Sequence, residues 1–332
     1  MTLNEKEIDI MEKIKVNECI IAGEIVDFLN VKDGVTKAGV PWFKYTLRIQ
    51  TDKETSEYHD VDFFEMRDGF NGKENGRYKA MVTVYEESKA IATDGEGDVI
   101  RVVGRLATES YVSKTENKIV NKLVIKGMYM NRKKEGEKEK TEGYFDQVAI
   151  FKGVMFVDKM EELEDRLVIT GVVNEYKSKK ATVGHRVEFI CDEPASIEGM
   201  KSLVKVDDVA NIGAYIKDIV EVKFLPEEET KELPLREIKG FGTAVEDAKK
   251  ENERIEKENA RRKELRENGL QIHKQGLVVS GSSGAYTKEE IEENDMPFTS
   301  EDINDMLDGI EDKMADLEAQ LTYDNMNEDV PF

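Results

Sequence analysis

The chain has 332 residues, of which 36% are charged and 39% hydrophobic, and its net charge is −22. That length suits about two packed domains, and so high a charged fraction leaves part of the chain outside any core. Most of the excess charge is terminal: residues 286–332 carry 2 basic against 16 acidic side chains, whereas residues 1–140 carry 24 against 26. A near-neutral body with an acidic end does not exclude nucleic acid, because binding needs a local basic face rather than a basic total. With no apolar run long enough to span a membrane and no basic-then-apolar start, a cytosolic protein is expected.

From about Val16 to Arg132 the pattern reads as strands. Ile20–Val26 is apolar and β-branched, with Gly23 expected at a bulge or sharp bend. Along Trp42–Gln50 the residues alternate: Phe43, Tyr45, Leu47 and Ile49 fall on one side, Trp42, Lys44, Thr46, Arg48 and Gln50 on the other. Tyr58–Phe64 reads as a third strand, Val82–Ala92 as a short helix, and Gly97–Leu106 and Lys122–Gly127 as the last two strands. Three strands, a helix and two strands predict a five-stranded barrel, the OB-fold, over residues 14–132.

The middle of the chain repeats the plan. Leu167–Val173 echoes the first strand, with Gly171 in the place of Gly23. His185–Ile190 plays the alternating strand, Gly213–Val222 parallels the Gly97 segment, and Leu235–Gly240 parallels the strand ending in Gly127. Matching elements in matching order predict a second barrel over residues 145–244, after a linker at the Lys133–Lys140 charge run. The expected fold is therefore mainly β: tandem OB-fold barrels followed by a charged helix and a flexible acidic C-terminal region. Residues 245–268 predict a solvated charged helix, and residues 269–298, with Ser280-Gly-Ser-Ser-Gly284, a flexible linker. Residues 299–322 predict an acidic helix capped by Thr299 or Ser300, with Ile303, Met306, Leu307, Ile310, Met314, Leu317 and Leu321 on one face. That stripe either packs on the barrels or docks a partner. Met296-Pro-Phe298 reads as packing or a weak auxiliary site.

Catalytic chemistry finds little support. His59, His185 and His273 have no metal-ligand spacing, no phosphate-cradling glycine loop or nucleophile elbow appears, and no metal, cofactor or catalytic residue is assigned. Cys19 and Cys191 lie far apart in strand-like contexts and are expected to be buried, reduced thiols. Single strands of nucleic acid are held by aromatic faces that stack bases and by cations that follow phosphates. The first barrel offers both, because Trp42 shares its face with Lys44, Arg48 and Gln50 while the opposite face is apolar.

Two regions resemble the bacterial and phage family of single-stranded-DNA-binding proteins. Residues 323–332 form an acidic tail ending in Glu328, Asp329, Val330, Pro331 and Phe332, in which an aromatic ring stands beside a free carboxylate. The resemblance implies that this tail docks replication, recombination and repair proteins. Tyr58–Phe64 is similar to a strand of the same family whose first aromatic residue and last phenylalanine stack on bases, which implies that role for Tyr58 and Phe64. Asp98–Leu106, followed by Tyr111, is similar to a further strand, making Tyr111 a third stacking residue and Arg101, Arg105, Lys114 and Lys118 phosphate contacts. The chain departs from the family at Asp60 and Asp62, at Trp42, in the Asp68–Met81 insertion and in its second barrel. The two aspartates oppose phosphate and imply strong salt dependence. The second barrel, whose aromatic residues Tyr176, Phe189, Tyr215 and Phe224 read mostly as core, is expected to be the weaker binder or a structural companion.

Together these features point to a non-enzymatic protein that coats single-stranded DNA, in bacterial or phage-host cytoplasm, with a homo-oligomer possible. The alternatives are a protein–protein adaptor, favoured by Asp60, Asp62 and the acidic total, or an RNA-binding protein.

Overall fold

The computed structural model describes residues 16–69, 72–113, 117–134, 136, 143–178, 181–224, 226, 231–235 and 243–328. The chain divides into two units, Met1–Lys217 with Gln275–Phe332, and Asp218–Lys274.

The first barrel comprises β1 (Asn17–Val35), β2 (Pro41–Asp52), β3 (Glu57–Met66), α1 (Gly76–Glu87), α2 (Ile91–Asp94), β4 (Val99–Ser113) and β5 (Lys118–Arg132). Its strands close in the order β1-β2-β3-β5-β4-β1, antiparallel except for the β3–β5 pair at Val61↔Ile125. This is the five-stranded OB topology, and the alternation read from Trp42–Gln50 generates it. Tyr45, Leu47 and Ile49 point into the core with Ile25, Val61, Phe63, Ile100, Val102, Leu106 and Ile125. Gly23 stands where β1 leaves β4 and takes up β2; a Cβ there would lie 1.9 Å from the Gln50 carbonyl oxygen, so only glycine allows the approach. The short helix expected at Val82–Ala92 starts earlier, at Gly76, where the Asn75 side chain accepts from the Arg77 N–H and caps it.

The second barrel comprises β6 (Val148–Glu162), β7 (Leu167–Ser178), β8 (Ala181–Cys191), α3 (Pro194–Leu203), β9 (Val209–Lys223) and β10 (Leu270–Ala285), with the same strand order. The internal repeat is present, but its strands are displaced from the sequence reading. The first strand is β6, and Leu167–Val173 belongs to the second. The expected fifth strand at Leu235–Gly240 is not the one used: residues 236–240 lie outside the described residues, and β10 closes the barrel instead by pairing parallel with β8 at Leu277↔Phe189. The Ser280–Gly284 segment is thus strand rather than flexible linker. Leu277 and Val279 bury inward, and the Ser282 hydroxyl donates to the Asn211 carbonyl at 2.6 Å.

β1 and β6 pair antiparallel from Asn17↔Gly153 to Ala22↔Val148, so both barrels share one ten-stranded sheet and one core. A buried polar chain also joins them. The Thr108 N–H donates to His185 Nδ1 at 3.0 Å, which leaves the proton on Nε2 to be donated to Glu175, also 3.0 Å away; Lys126 Nζ stands 3.3 Å from the same carboxylate. Asn17 spans the two barrels as well, its amide donating to the carbonyls of Leu106 and Asn174.

After β10 come α5 (Lys288–Glu293) and α6 (Ser300–Glu328). Thr299 caps α6, its hydroxyl accepting from the Asp302 N–H. Ile291, Met296, Phe298 and Met306 form a second apolar cluster with Val154, Phe156, Val172 and Val209 on the outside of the second barrel, supported by Ile303, Leu307 and Ile310. The front of the apolar stripe therefore packs on its own barrel, and Met296-Pro-Phe298 is packing. In the other unit α4 (Thr243–Asn268) carries the charged sequence, and both amide atoms of Asn259 bond the backbone of Leu233. Both thiols are buried; burial, then Glu18, raises the Cys19 pKa, and burial, then Asp192, pushes Cys191 up to about 11. Among the described residues no helix is long and apolar enough to cross a membrane.

Candidate nucleic-acid interface

The register of β2 and β3 decides which side chains meet on the outside of the first barrel. Trp42 lies opposite Met66, Lys44 opposite Phe64, Thr46 opposite Asp62, Arg48 opposite Asp60 and Gln50 opposite Tyr58. Alternation sends all of these outward, because their neighbours Phe43, Tyr45, Leu47, Ile49, Val61 and Phe63 are buried. Five of the expected contact residues, Trp42, Lys44, Arg48, Tyr58 and Phe64, thus share one face.

Trp42 and Phe64 pair diagonally across it, ring centroids 5.9 Å apart and planes inclined by 35°. The indole also lies over Gly34 of β1, where an added Cβ would come within 2.7 Å of it. Held between a glycine and a neighbouring ring, the indole is oriented before any ligand arrives, while Phe64 remains 56% exposed. Six residues back along β3, the Arg48 guanidinium sits 4.6 Å over the Tyr58 ring. The face therefore has an aromatic pair at one end and a cation-covered tyrosine at the other.

Its electrostatics differ from the sequence expectation. Arg48 grips Asp60 through two hydrogen bonds, Nε–Oδ1 at 2.7 Å and a second at 2.9 Å, and that contact first of all raises the arginine pKa. Asp62 accepts from the Thr46 hydroxyl at 2.6 Å. The two carboxylates are thus engaged within the sheet, and Arg48 is committed to Asp60. Replacing Asp60 with asparagine is expected to release a cation to this face. Affinity for a single strand should rise severalfold, and the slope of log K against log salt should steepen by about 0.7, the increment for one added phosphate contact on a single strand. Filter binding at four salt concentrations measures both.

The other expected residues stand elsewhere. Tyr111 is half exposed on the β4–β5 hairpin opposite Val120, and Lys118 pairs with Ser113 near the tip of that hairpin. Arg101 and Arg105 face outward from β4, away from the β2–β3 face. Arg101 stacks over Tyr144 at 4.7 Å and donates to its carbonyl, which makes it a clamp on the segment between the barrels. Lys114 and Asp329–Phe332 lie outside the described residues, and Glu328 is the last helical residue of α6.

The second barrel treats the equivalent face differently. Counting five residues from the shared Ile20↔Ile150 pair reaches Ile25 and Met155, which pair with Ile49 and Val173; these in turn face His59 and His185. The same registers place Arg166 where the first barrel has Trp42, Gly184 where it has Tyr58, and Ile190 where it has Phe64. Over Gly184 lies Met306 of α6, so close that a Cβ would be 2.7 Å from its Cβ and 3.0 Å from its backbone oxygen. The sequence left open whether the Met/Leu stripe packs on the barrels or docks a partner, because its acceptor, a glycine without a side chain, gives no signal there.

Residues 15–302 match the model of the YorF family. The chain belongs to the YorF family. No curated protein matches it. Among solved structures it is similar to the single-stranded DNA binding protein from Thermus aquaticus, at 13% identity and a TM-score of 0.37, covering 62% of this chain and 87% of that one. It is also similar to a mitochondrial single-stranded DNA binding protein from S. cerevisiae, at 12% identity and a TM-score of 0.22, covering 37% of this chain and all of that one.

Proposed function

We propose that the chain binds single-stranded DNA through the outer β2–β3 face of its first barrel, without strong sequence preference. The observation that carries this reading is the Trp42–Phe64 pair: two large rings on a polar strand face, one buttressed and the other open to solvent. Bases stack on Trp42, Phe64 and Tyr58, Lys44 meets the backbone between them, and Tyr111 and Lys118 extend the track along the hairpin. Lys114 adds positive charge, whereas Arg101 acts by clamping Tyr144 and Arg105 stands off this face. The second barrel supports the first and shares its core. The terminal residues Glu328, Asp329, Val330, Pro331 and Phe332 recruit DNA-processing proteins, the ring entering an apolar pocket and the carboxylates pairing with a basic rim.

Trp42 is the single tryptophan and reports on the site. Titration with oligo-dT is expected to quench its emission strongly, less so at high salt, with duplex DNA having little effect. Quenching by oligo-U of equal strength would make RNA an equal ligand. Absence of quenching together with absence of a gel shift would overturn the reading in favour of a protein–protein adaptor.

A further inference from the structure

On the opposite side of β3 from the exposed Phe64 ring, the first barrel has a cavity of about 240 Å³, walled by β3, α1 and β5. β3 and β5 are paired only at Val61↔Ile125 and Asp62↔Lys126, and the opening lies further along both strands, where α1 packs across the gap. Its apolar wall is Phe63, Ala80, Met81, Met128 and Met130. Its polar side chains are Glu65, Arg77, Tyr129 and Asn131, the last donating to the Tyr144 hydroxyl at 2.9 Å. Arg77 lies 4.7 Å over the Tyr129 ring, donates to the Tyr129 hydroxyl at 3.0 Å and stands 3.6 Å from Glu65. Glu65 also accepts from Asn75 at 2.8 Å. Tyr129 is 53% exposed.

Three features bear on what such a space accepts. Its volume is below the roughly 300–1,000 Å³ of sites for drug-sized molecules, which suits one planar ring system rather than a chain of nucleotides. Its walls are flat or polarizable, a phenylalanine ring and three methionines, and these favour a π-face. A carboxylate and a guanidinium side by side offer an acceptor next to a donor, the complement of an edge carrying N–H groups beside a carbonyl. Along β3, Phe63 and Glu65 line the cavity from the face opposite the exposed Phe64 ring, and beyond Asp62 β3 has no ladder partner on its β5 side among the described residues, so the two faces meet at that open edge.

The geometry points to a base pocket in which one guanine of the bound strand leaves the stack at Phe64, turns around the open edge of β3 to sit against the wall of Phe63 and the methionines, and pairs its N1–H and N2–H groups with Glu65 and its O6 with Arg77. This rests on the single-strand reading and adds a preference to it. Bases splayed from single strands are read by this combination of stacking and edge hydrogen bonds.

The test compares the full chain on oligo-dT with the same oligomer carrying one central dG or one central dA. One dG is expected to raise affinity about tenfold, the equivalent of one well-paired edge, and dA to give less than half that gain. Glu65→Gln should abolish the dG advantage while leaving oligo-dT affinity within twofold. Ala80→Leu, which fills the cavity, should do the same; if it fails to fold, Glu65→Gln decides. Equal affinity for the three oligomers, or a dG advantage that survives Glu65→Gln, would overturn the pocket and leave the single-strand reading intact. Failure to bind any oligomer would overturn both.

Discussion

Replacing Trp42 and Phe64 together with alanine is expected to weaken oligo-dT binding by about 30-fold or more. Each stacked base contributes about 1–3 kcal/mol by alanine substitution, and 1.4 kcal/mol is a factor of ten. The two positions are not equivalent in the fold, and this separates binding from stability. Phe64 is mostly exposed, so Phe64→Ala alone should cost about 5- to 20-fold in affinity while changing the melting temperature by no more than a degree or two. Trp42 is half-buried over Gly34, so its removal also exposes backbone and lowers stability. Trp42→Phe is the control, keeping a ring in place and most of the affinity. Fluorescence anisotropy of labelled oligo-dT, with a thermal melt of each variant, measures both quantities. If Phe64→Ala folds normally and binds as the parent does, the β2–β3 face is not the site.

The first barrel was legible in the sequence because its strands have two unlike faces. Phe43, Tyr45, Leu47 and Ile49 alternate with polar residues, so period and burial follow from the same pattern, and the placement of Trp42 with Lys44 and Arg48 comes with them. The second barrel was legible as a repeat but not strand by strand. β10 contains Ser280-Gly-Ser-Ser-Gly284, which has the composition of a linker and is strand only because its neighbours supply the ladder and Leu277 and Val279 bury. Local propensity is overridden there by tertiary pairing. The 46 residues between β9 and β10, 224–269, hid the correspondence further, since the first barrel joins the same two strands with a tight hairpin. Charge was the least legible property. Asp60 and Asp62 read as two carboxylates opposing phosphate, and only the register, Arg48 opposite Asp60 and Thr46 opposite Asp62, shows both engaged within the sheet. The same holds for Arg101, which a linear pattern offers to phosphate and the fold gives to Tyr144.

Gly184→Val is expected to dislodge the front of α6 and to destabilise the chain by about 2–3 kcal/mol, at the upper end of overpacking costs. The added atoms meet the Met306 Cβ and, at 3.0 Å, its backbone oxygen. A side chain can rotate away; a helix carbonyl can yield only if the helix moves. Met306 is 1% exposed in a cluster with Val172, Phe298 and Ile291, so moving the helix uncovers apolar surface on both partners. Met306→Ala tests the same contact without a clash and should cost about 2–5 kcal/mol, the usual range for emptying a buried methionine site. For a domain of this size either change should lower the melting temperature by roughly 5 °C or more, and limited proteolysis should cut within residues 300–328 well before the parent is cut. Binding is the more informative readout. The face that α6 covers has Arg166, Gly184 and Ile190 at the places of Trp42, Tyr58 and Phe64, so uncovering it offers bases nothing aromatic to stack on. Oligo-dT affinity and the length of strand occupied should stay as in the parent. A longer occupied length in Gly184→Val would mean that α6 covers a second binding surface. An unchanged melting temperature and protease pattern would mean that the helix is not held at Gly184.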